Sequence, residues 1–300
     1  MRGKSAIIAL TAAMLALSSC SMQLNGATDS ESGENSAATP QITQITQSPT
    51  PPPTAAPTPS PSIAAVTDYE SIDNKGTGWG FVRKKGAPPE ITAKQKSDLK
   101  DYGGVYLDEE NEAALYLTFD EGYENGYTAQ ILDVLAEKKV PAAFFVTGQY
   151  LESQTELIQR MIDEGHIVGN HTAKHLNLPK QSTETVKAEL DRLNEKCKEL
   201  YGVEMKYMRP PEGEYSPRVL AIAKDMGYLT VFWSMAYKDW DANAQNGKQY
   251  AYDSVVPYIH GGAIILLHAV SSDNANALSE IIDAAREMGY EFKSLDDMNI

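Results

Sequence analysis

Two acids, Asp120 and Glu121, directly follow the apolar run that spans Leu115 to Phe119 in the stretch ALYLTFDEGY. The alternation in that run predicts a buried strand, so both carboxylates would lie at its C-terminal tip. Adjacent carboxylates repel each other unless a positive charge lies between them. A bound cation would separate their roles, because one carboxylate could bind the ion while the other takes a proton from ion-bound water.

A second pattern, NHTAKHLNLP, places His171 and His175 four residues apart, just after another predicted strand. Such a pair can present two imidazoles to one metal ion, although the spacing alone also arises by chance on surface helices. A metal held by two histidines and one carboxylate keeps positions open for water and substrate. That arrangement is typical of a hydrolytic rather than a structural site.

The elements that position these residues alternate along the chain. The predicted strands contain the runs LYLTF, AAFFV, HIVGN, KYMRP, LTVFWS, AIILLH and EFKSL. Amphipathic segments lie around 127–138, 155–164, 182–201, 216–226, 250–260 and 274–288. Strict alternation predicts an α/β fold with a parallel sheet, and about seven repeats predict a closed or nearly closed barrel.

The chemically useful polar residues share one position relative to these strands. They follow the ends of five predicted strands, as Asp120 with Glu121, His171 with His175, Arg209, Asp239 with Trp240, and His268. In a barrel the C-terminal strand ends form one rim, which is where such folds assemble active sites.

Five segments then match a known family in order: TFDEGY, HTAKH, RPPEGEYS, KDW and LLH. They resemble the motifs of polysaccharide deacetylases of the nodulation-protein type, carbohydrate esterase family four, over about residues 110–300. Longer stretches, including WGFVRKKGAPPE and LLHAVSSDNANAL, are similar to the delta-lactam-biosynthetic de-N-acetylase branch. The resemblance implies a distorted (β/α) barrel of about seven parallel strands. It also implies a hydrolase that removes acetyl from N-acetylmuramic acid of spore-cortex peptidoglycan, so that the muramic delta-lactam can form.

The resemblance assigns the first group of site residues. It implies that Asp120 is the general base and that Arg209 bonds to this base and keeps it ionised. It implies that His171 and His175 bind a divalent metal ion, expected to be Zn²⁺. Glu121 occupies the position where the wider family commonly has a liganding aspartate. The alternative for Arg209 is a structural role at a strand exit rigidified by the following prolines.

The resemblance also implies a proton donor and a substrate pocket. Asp239 would orient His268 as the general acid, and the backbone N–H of Tyr215 would contribute to an oxyanion site. Trp240 and Leu266 would wall the acetyl pocket; the alternative for Trp240 is an ordinary rim aromatic under a loop. A protonated histidine beside a carboxylate suits the release of an amine, which needs a proton.

The N-terminal residues predict export. Arg2 and Lys4 supply a positive region, and residues 6–17 are apolar but too few for an ordinary spanning helix. The following LSSC resembles the lipobox of bacterial lipoproteins, in which Cys20 becomes the lipid-carrying N-terminus. We therefore expect residues 1–19 to be a lipoprotein signal peptide; the alternative is a plain signal peptide cleaved near Ser19.

Residues 20–66 are predicted to be the lipid-anchored cysteine and a disordered linker. Residues 21–66 contain no Lys or Arg and eight of the sixteen prolines, a composition that cannot build a core and favours a semi-rigid spacer. Residues 67–300 are long enough for one catalytic domain. We expect this domain to be held at the outer face of the bacterial cytoplasmic membrane.

A net charge of −15 argues against nucleic acid, or an anionic membrane surface, as a partner held by charge. The expected partner is a peptidoglycan glycan strand, with membrane contact through the lipid anchor only, and the expected state is a monomer. Two other functions stay open on the sequence. One is deacetylation of another glycan, such as N-acetylglucosamine units, chitin or xylan, and the other is glycan binding without catalysis.

Overall fold

A computed structural model of the chain describes residues 67–298. The predicted signal peptide, the predicted lipidation site Cys20 and the predicted linker up to residue 66 lie outside these residues. Within them, no helix combines the length and apolar character needed to cross a membrane.

The described residues contain eight α-helices and twelve strands, besides five short 3-10 helices. The helices are α1 Ala93–Tyr102, α2 Thr128–Lys138, α3 Gly148–Ser153, α4 Thr155–Asp163, α5 Thr183–Tyr201, α6 Pro217–Asp225, α7 Lys248–Val255 and α8 Ser272–Glu287. The strands are β1 Thr77–Gly78, β2 Val82–Lys84, β3 Ala87–Glu90, β4 Gly104–Val105, β5 Ala114–Glu121, β6 Ala142–Val146, β7 Ile167–Asn170, β8 Tyr207–Met208, β9 Glu214–Tyr215, β10 Leu229–Val231, β11 Ala263–His268 and β12 Glu291–Phe292.

The main sheet has eight strands, in the order β11-β5-β6-β7-β8-β10-β4, with β12 beside β5. All of its strand pairings are parallel. Leu115 pairs with Ala263 on one edge of β5 and with Phe292 on the other, so β12 lies on the β6 side, just before β6 begins. The seven predicted strands all belong to this sheet, which confirms the α/β fold with parallel strands.

The two ends of the sheet meet just beyond β10. Met235 forms a parallel bridge with Ile265 of β11, and the backbone N–H of Leu266 donates to the Met235 carbonyl at 2.9 Å. Leu107, just beyond β4, bridges Ala263 in the antiparallel sense. The sheet therefore curls into a nearly closed, distorted barrel, as predicted.

Alternation along β5 separates two apolar layers. Leu115, Leu117 and Phe119 belong to the large cluster that the helices cover, whereas Ala114 and Tyr116 belong to a smaller cluster enclosed by the strands. Because successive side chains of a strand point to opposite faces, the strand's end continues this division. Position 120 therefore faces the barrel interior, and position 121 faces the helices.

Local sequence explains two helix boundaries. The Ser216 hydroxyl accepts from the Val219 N–H at the start of α6, and Pro217 occupies the first helical position. The segment predicted as a helix over 250–260 instead ends at Val255 and continues as a short 3-10 turn through Tyr258. Pro257 accounts for the early end, because its ring has no N–H and clashes with the preceding turn of an α-helix.

Candidate active site

A cavity of about 1340 Å³ opens at the C-terminal ends of the main-sheet strands. Six predicted site residues line it: Asp120, His171, His175, Trp240, Leu266 and His268. Arg209 and Asp239 lie behind this lining and contact it directly, through hydrogen bonds to Asp120 and to His268 respectively. The barrel rim therefore gathers most of the predicted site, while Glu121 and Tyr215 lie elsewhere.

Arg209 holds Asp120 from inside the barrel. The guanidinium is fully buried, and its Nη1 donates to Asp120 Oδ1 at 2.8 Å. Nε donates to the Val231 carbonyl at 2.9 Å and Nη2 to Thr118 Oγ1 at 3.0 Å, so the orientation of the group is fixed. Burial alone would raise the pKa of Asp120, but the Arg209 charge and nearby imidazoles outweigh it and hold this pKa below its usual range. Asp120 is therefore an ionised carboxylate at the cavity wall.

His171 presents one ring nitrogen toward this carboxylate. Its Nδ1 lies 2.8 Å from the Arg209 carbonyl, an acceptor that places the proton on Nδ1. Its Nε2 lies 3.6 Å from Asp120 Oδ2, the carboxylate oxygen that Arg209 Nη1 does not bond. Burial lowers the pKa of His171 to about 4, so the ring is neutral. A neutral imidazole bonded through Nδ1 to a carbonyl is the usual form of a histidine metal ligand.

The loop after β7 brings the second histidine to the first. The His171 and His175 ring centroids are 5.0 Å apart with nearly perpendicular planes. Thr172 and His175 have positive φ values of 69° and 54°, a backbone conformation that non-glycine residues adopt only when their surroundings impose it. Glu189 of α5 supplies part of that constraint, because its carboxylate accepts from the Lys174 N–H at 2.7 Å.

Glu121 lies on the opposite face of β5 from Asp120. It is fully buried and does not line the cavity, and neither carboxyl oxygen has a hydrogen-bond partner among the described residues. Burial, followed by the charges of Glu124 and Asp120, raises the pKa of Glu121 well above its usual value. Strand alternation is the physical reason for the separation of the two adjacent acids.

The structure consequently does not assemble Glu121, His171 and His175 as one ligand set. Among residues 67–298, no group of three or more His, Cys, Asp or Glu side chains is arranged to hold a metal ion. The two imidazoles fit part of a metal site, and the carboxylate nearest to His171 is Asp120 rather than Glu121. Metal ligation by Glu121 stays a prediction that this geometry does not favour.

His268 and Asp239 form a second pair, in which Asp239 is buried and His268 is partly exposed to the cavity. His268 Nδ1 lies 2.8 Å from Asp239 Oδ1, and the His268 backbone N–H donates to Oδ2 at 2.8 Å. Asn274 of α8 also donates to Oδ2, at 2.6 Å, which fixes the carboxylate. Burial alone would lower the pKa of His268, but the charge and hydrogen bond of Asp239 raise it above its usual value. His268 therefore retains its proton to a higher pH than an ordinary histidine.

Of the three predicted substrate-binding residues, Trp240 and Leu266 line the cavity and Tyr215 does not. Trp240 is 54% exposed and its ring lies 6.1 Å from that of His268, while Leu266 is buried at the cavity wall. Tyr215 lies in β9, paired with Thr77 of β1, and its fully buried ring packs in a separate aromatic cluster. It does not line the cavity, so its oxyanion role stays a prediction.

The N-terminal part of the domain supplies a cavity wall that sequence patterns did not assign. Trp79, Phe81 and Arg83 all line the cavity. Trp79 stacks on Phe232 with ring centroids 4.4 Å apart, and its Nε1 donates to the Trp233 carbonyl at 2.9 Å. The aromatic spacing in WGFVR is the signal that could have identified this wall.

Comparisons with known proteins place the chain in a family. The family model for polysaccharide deacetylase matches residues 108–231. The Bacillus subtilis peptidoglycan-N-acetylmuramic acid deacetylase PdaA is 46% identical over 231 residues, 76% of this chain and 88% of that protein. A chitooligosaccharide deacetylase from Bradyrhizobium is 35% identical over 65% of this chain and 94% of that protein.

Similar solved structures also belong to this family. The structure of Bacillus subtilis PdaA, a family 4 carbohydrate esterase, aligns with a TM-score of 0.74 at 45% identity and covers 76% of this chain and 98% of that one. A family 4 carbohydrate esterase from Bacillus anthracis aligns with a TM-score of 0.65 at 46% identity, with the same coverage. The chain belongs to the polysaccharide deacetylase family, carbohydrate esterase family 4, and is a hydrolytic de-N-acetylase.

Proposed function

We propose that this enzyme removes the acetyl group from N-acetylmuramic acid in peptidoglycan. The observation that carries the reaction is an ionised Asp120 and a proton-retaining His268 that line one cavity. The choice of sugar rests on the 46% identity to PdaA, which extends over 231 residues. The muramic delta-lactam of the spore cortex, into which deacetylated muramic acid can be converted, is the proposed use of the product.

The chemistry follows from two pairs, Asp120 with Arg209 and His268 with Asp239. Asp120 takes a proton from the water whose oxygen bonds to the acetyl carbonyl carbon, and a tetrahedral oxyanion forms. The C–N bond then breaks as His268 gives its proton to the departing nitrogen, so acetate and a free amine are released. Arg209 positions the base, and Asp239 positions the acid and stabilises its charged form.

His171 and His175 are proposed to hold a divalent metal ion, with Zn²⁺ as the expected ion. When bound, such an ion lowers the pKa of water to about 7 and polarises a carbonyl oxygen. The chain's own contribution to this site is the neutral His171 ring, which the Arg209 carbonyl orients. Trp240 and Leu266 are proposed to enclose the acetyl methyl group beside His268, and the Tyr215 N–H is proposed to stabilise the oxyanion.

We also propose that the enzyme acts outside the cytoplasmic membrane and is anchored there through a lipid on Cys20. The support is the charged and apolar N-terminus that ends in LSSC, together with a substrate that lies in the cell wall. The Pro-rich residues between the anchor and the domain would allow the cavity to reach glycan strands away from the membrane surface.

Acetate release from purified peptidoglycan tests the catalytic proposal. Wild-type enzyme should release acetate, and Asp120→Asn and His268→Ala should each lower turnover by on the order of 100-fold or more. Asp241→Asn is a matched control, because Asp241 does not line the cavity. A wild-type protein that binds peptidoglycan but releases no acetate, with or without added Zn²⁺, would instead be a non-catalytic glycan-binding protein.

A further inference from the structure

Three cationic side chains line the cavity of this acidic protein, together with the carboxylates of Asp120 and Glu212. Arg83, Lys174 and Lys238 all line it, whereas the net charge of the chain is −15. The two lysines are exposed, but Arg83 is only partly exposed. In the part of the chain that the structure describes, no carboxylate lies within salt-bridge distance of Arg83.

Arg83 is fixed by the neighbouring element. Its Nη1 donates to the Ser254 carbonyl of α7 at 2.7 Å, and its Cζ lies 4.2 Å from the centroid of the Tyr258 ring. The turn of the same β2–β3 hairpin is attached there too, because the Gly86 N–H donates to the Pro257 carbonyl at 3.1 Å. Nε and Nη2 make no hydrogen bond with any described residue, so two donor groups of an oriented guanidinium remain for a ligand.

The proposed substrate carries a matching group. N-acetylmuramic acid differs from N-acetylglucosamine by a lactyl ether, which ends in a carboxylate and is attached to the ring carbon next to the one that bears the acetamido group. A carboxylate in that position travels with the acetyl group into the same cavity. Guanidinium groups bind carboxylates through two parallel hydrogen bonds, which gives both affinity and geometric selectivity.

We propose that Arg83 is a specificity-determining residue that binds the lactyl carboxylate of muramic acid. This inference rests on the proposed function and adds the group that distinguishes the two sugars of the glycan strand. Arg83 precedes residue 108, where the match to the general family model begins. Selection between sugars is thus assigned to the N-terminal hairpin, and the chemical step to the strand ends of the barrel.

Kinetics on three defined glycans test the assignment. The first carries free lactyl carboxylates, the second carries the same groups as neutral amides, and the third contains only N-acetylglucosamine. Wild-type enzyme should show a KM for the free carboxylate roughly 10- to 100-fold below that for the amide, the range of a charge-assisted pair. Arg83→Gln should abolish this difference by raising KM for the first glycan alone, while kcat on that glycan stays close to the wild-type value.

Two variants control for charge and folding. Lys85→Gln removes a cation from the same hairpin outside the cavity and should leave activity on all three glycans at the wild-type level. Arg83→Lys keeps the charge but loses the planar pair of donors, and should recover part of the selectivity. A melting temperature for each variant identifies loss of folding. If Arg83→Gln does not fold, the wild-type comparison of carboxylate with amide still decides the carboxylate claim, and Arg83→Lys still decides the residue.

A fourth glycan, in which the lactyl group carries a peptide stem with free carboxylates, separates the two sources of carboxylate. If Arg83→Gln raises KM for this glycan alone, Arg83 binds the carboxylates of the peptide, and the proposal is overturned. An equal rise in KM for the free and the amidated glycan in Arg83→Gln would also overturn it. So would a loss of selectivity in Lys238→Gln while Arg83→Gln keeps its selectivity. The proposed function itself fails in a different way, through absence of wild-type turnover on every muramic acid glycan.

Discussion

Asp120 and His268 are register partners on the neighbouring parallel strands β5 and β11. The pairing places the proposed base and the proposed acid on adjacent strand ends, where one substrate can contact both. Each is held from behind by a residue of opposite charge, Arg209 for Asp120 and Asp239 for His268. Because the base must be ionised and the acid must be protonated, kcat/KM should have a bell-shaped dependence on pH.

Asp239→Asn should move the basic limb of that bell to lower pH. The Asp239 carboxylate raises the pKa of His268 above its usual value, so removing its charge favours the neutral ring and lowers this pKa. The proton donor is then lost at a lower pH. The check is a kcat/KM profile from pH 5 to pH 10, with Asp241→Asn as the control; an unmoved basic limb would remove His268 from the role of acid.

Arg209→Met should destabilise the domain by about 3–5 kcal/mol, because it leaves the Asp120 charge buried without its partner. Urea unfolding at neutral pH measures this change. The double variant with Asp120→Asn removes both charges. Its loss of unfolding free energy should be smaller than the sum of the losses in the two single variants. Strictly additive losses would show that the 2.8 Å ion pair does not couple the two residues.

Glu121→Ala should leave Zn²⁺ affinity close to the wild-type value, whereas His171→Ala should lower it at least tenfold. The reason is that Glu121 lies on the helix-facing side of β5, away from the cavity that both histidines line. Calorimetric titration measures the affinities, and Glu121→Gln, which keeps the side-chain shape, controls for packing. Equal weakening by Glu121→Ala and His171→Ala would restore Glu121 as a ligand.

Much of this architecture was readable from the sequence, because buried parallel strands are continuous apolar runs and C-terminal strand ends share a rim. β4 was missed because two residues, Gly104 and Val105, form no run. α1 was missed because only one strongly apolar residue, Leu99, is buried among its polar side chains, so the helical period is weak. Hydrophobic patterns in the sequence do not reveal such short or polar elements, because contacts with distant segments stabilise them.

The sequence predicts the residues of the site less consistently than it predicts the fold. Asp120, His171, His175 and His268 were placed at one rim from their positions after strands, and the structure brings them to one cavity. The family resemblance groups Glu121 with them, because relatives commonly have a liganding aspartate at this position. The alternation in LYLTF, however, assigns adjacent positions to opposite faces of the strand. Glu189 and Asn274 could not be found, since their contacts join segments distant in sequence.

Cys20→Ser should move the protein from the membrane fraction to the soluble exported fraction without changing the activity of the domain. A thioether-linked lipid needs the cysteine sulfur, which serine lacks. Fractionation of cells that express each form, followed by an acetate-release assay, measures both properties. Wild-type protein found in the soluble fraction, or a serine variant retained at the membrane, would contradict anchoring through Cys20.

Mass spectrometry of muropeptides after treatment of purified cell wall with the enzyme tests the central claim most directly, because it reports acetyl loss for each sugar separately. Asp120→Asn provides the matched blank. The proposed function predicts muramic acid residues lighter by one acetyl group, open to lactam formation, and glucosamine residues that keep their acetyl groups. Acetyl loss confined to glucosamine, with muramic acid unchanged, would contradict the proposed function.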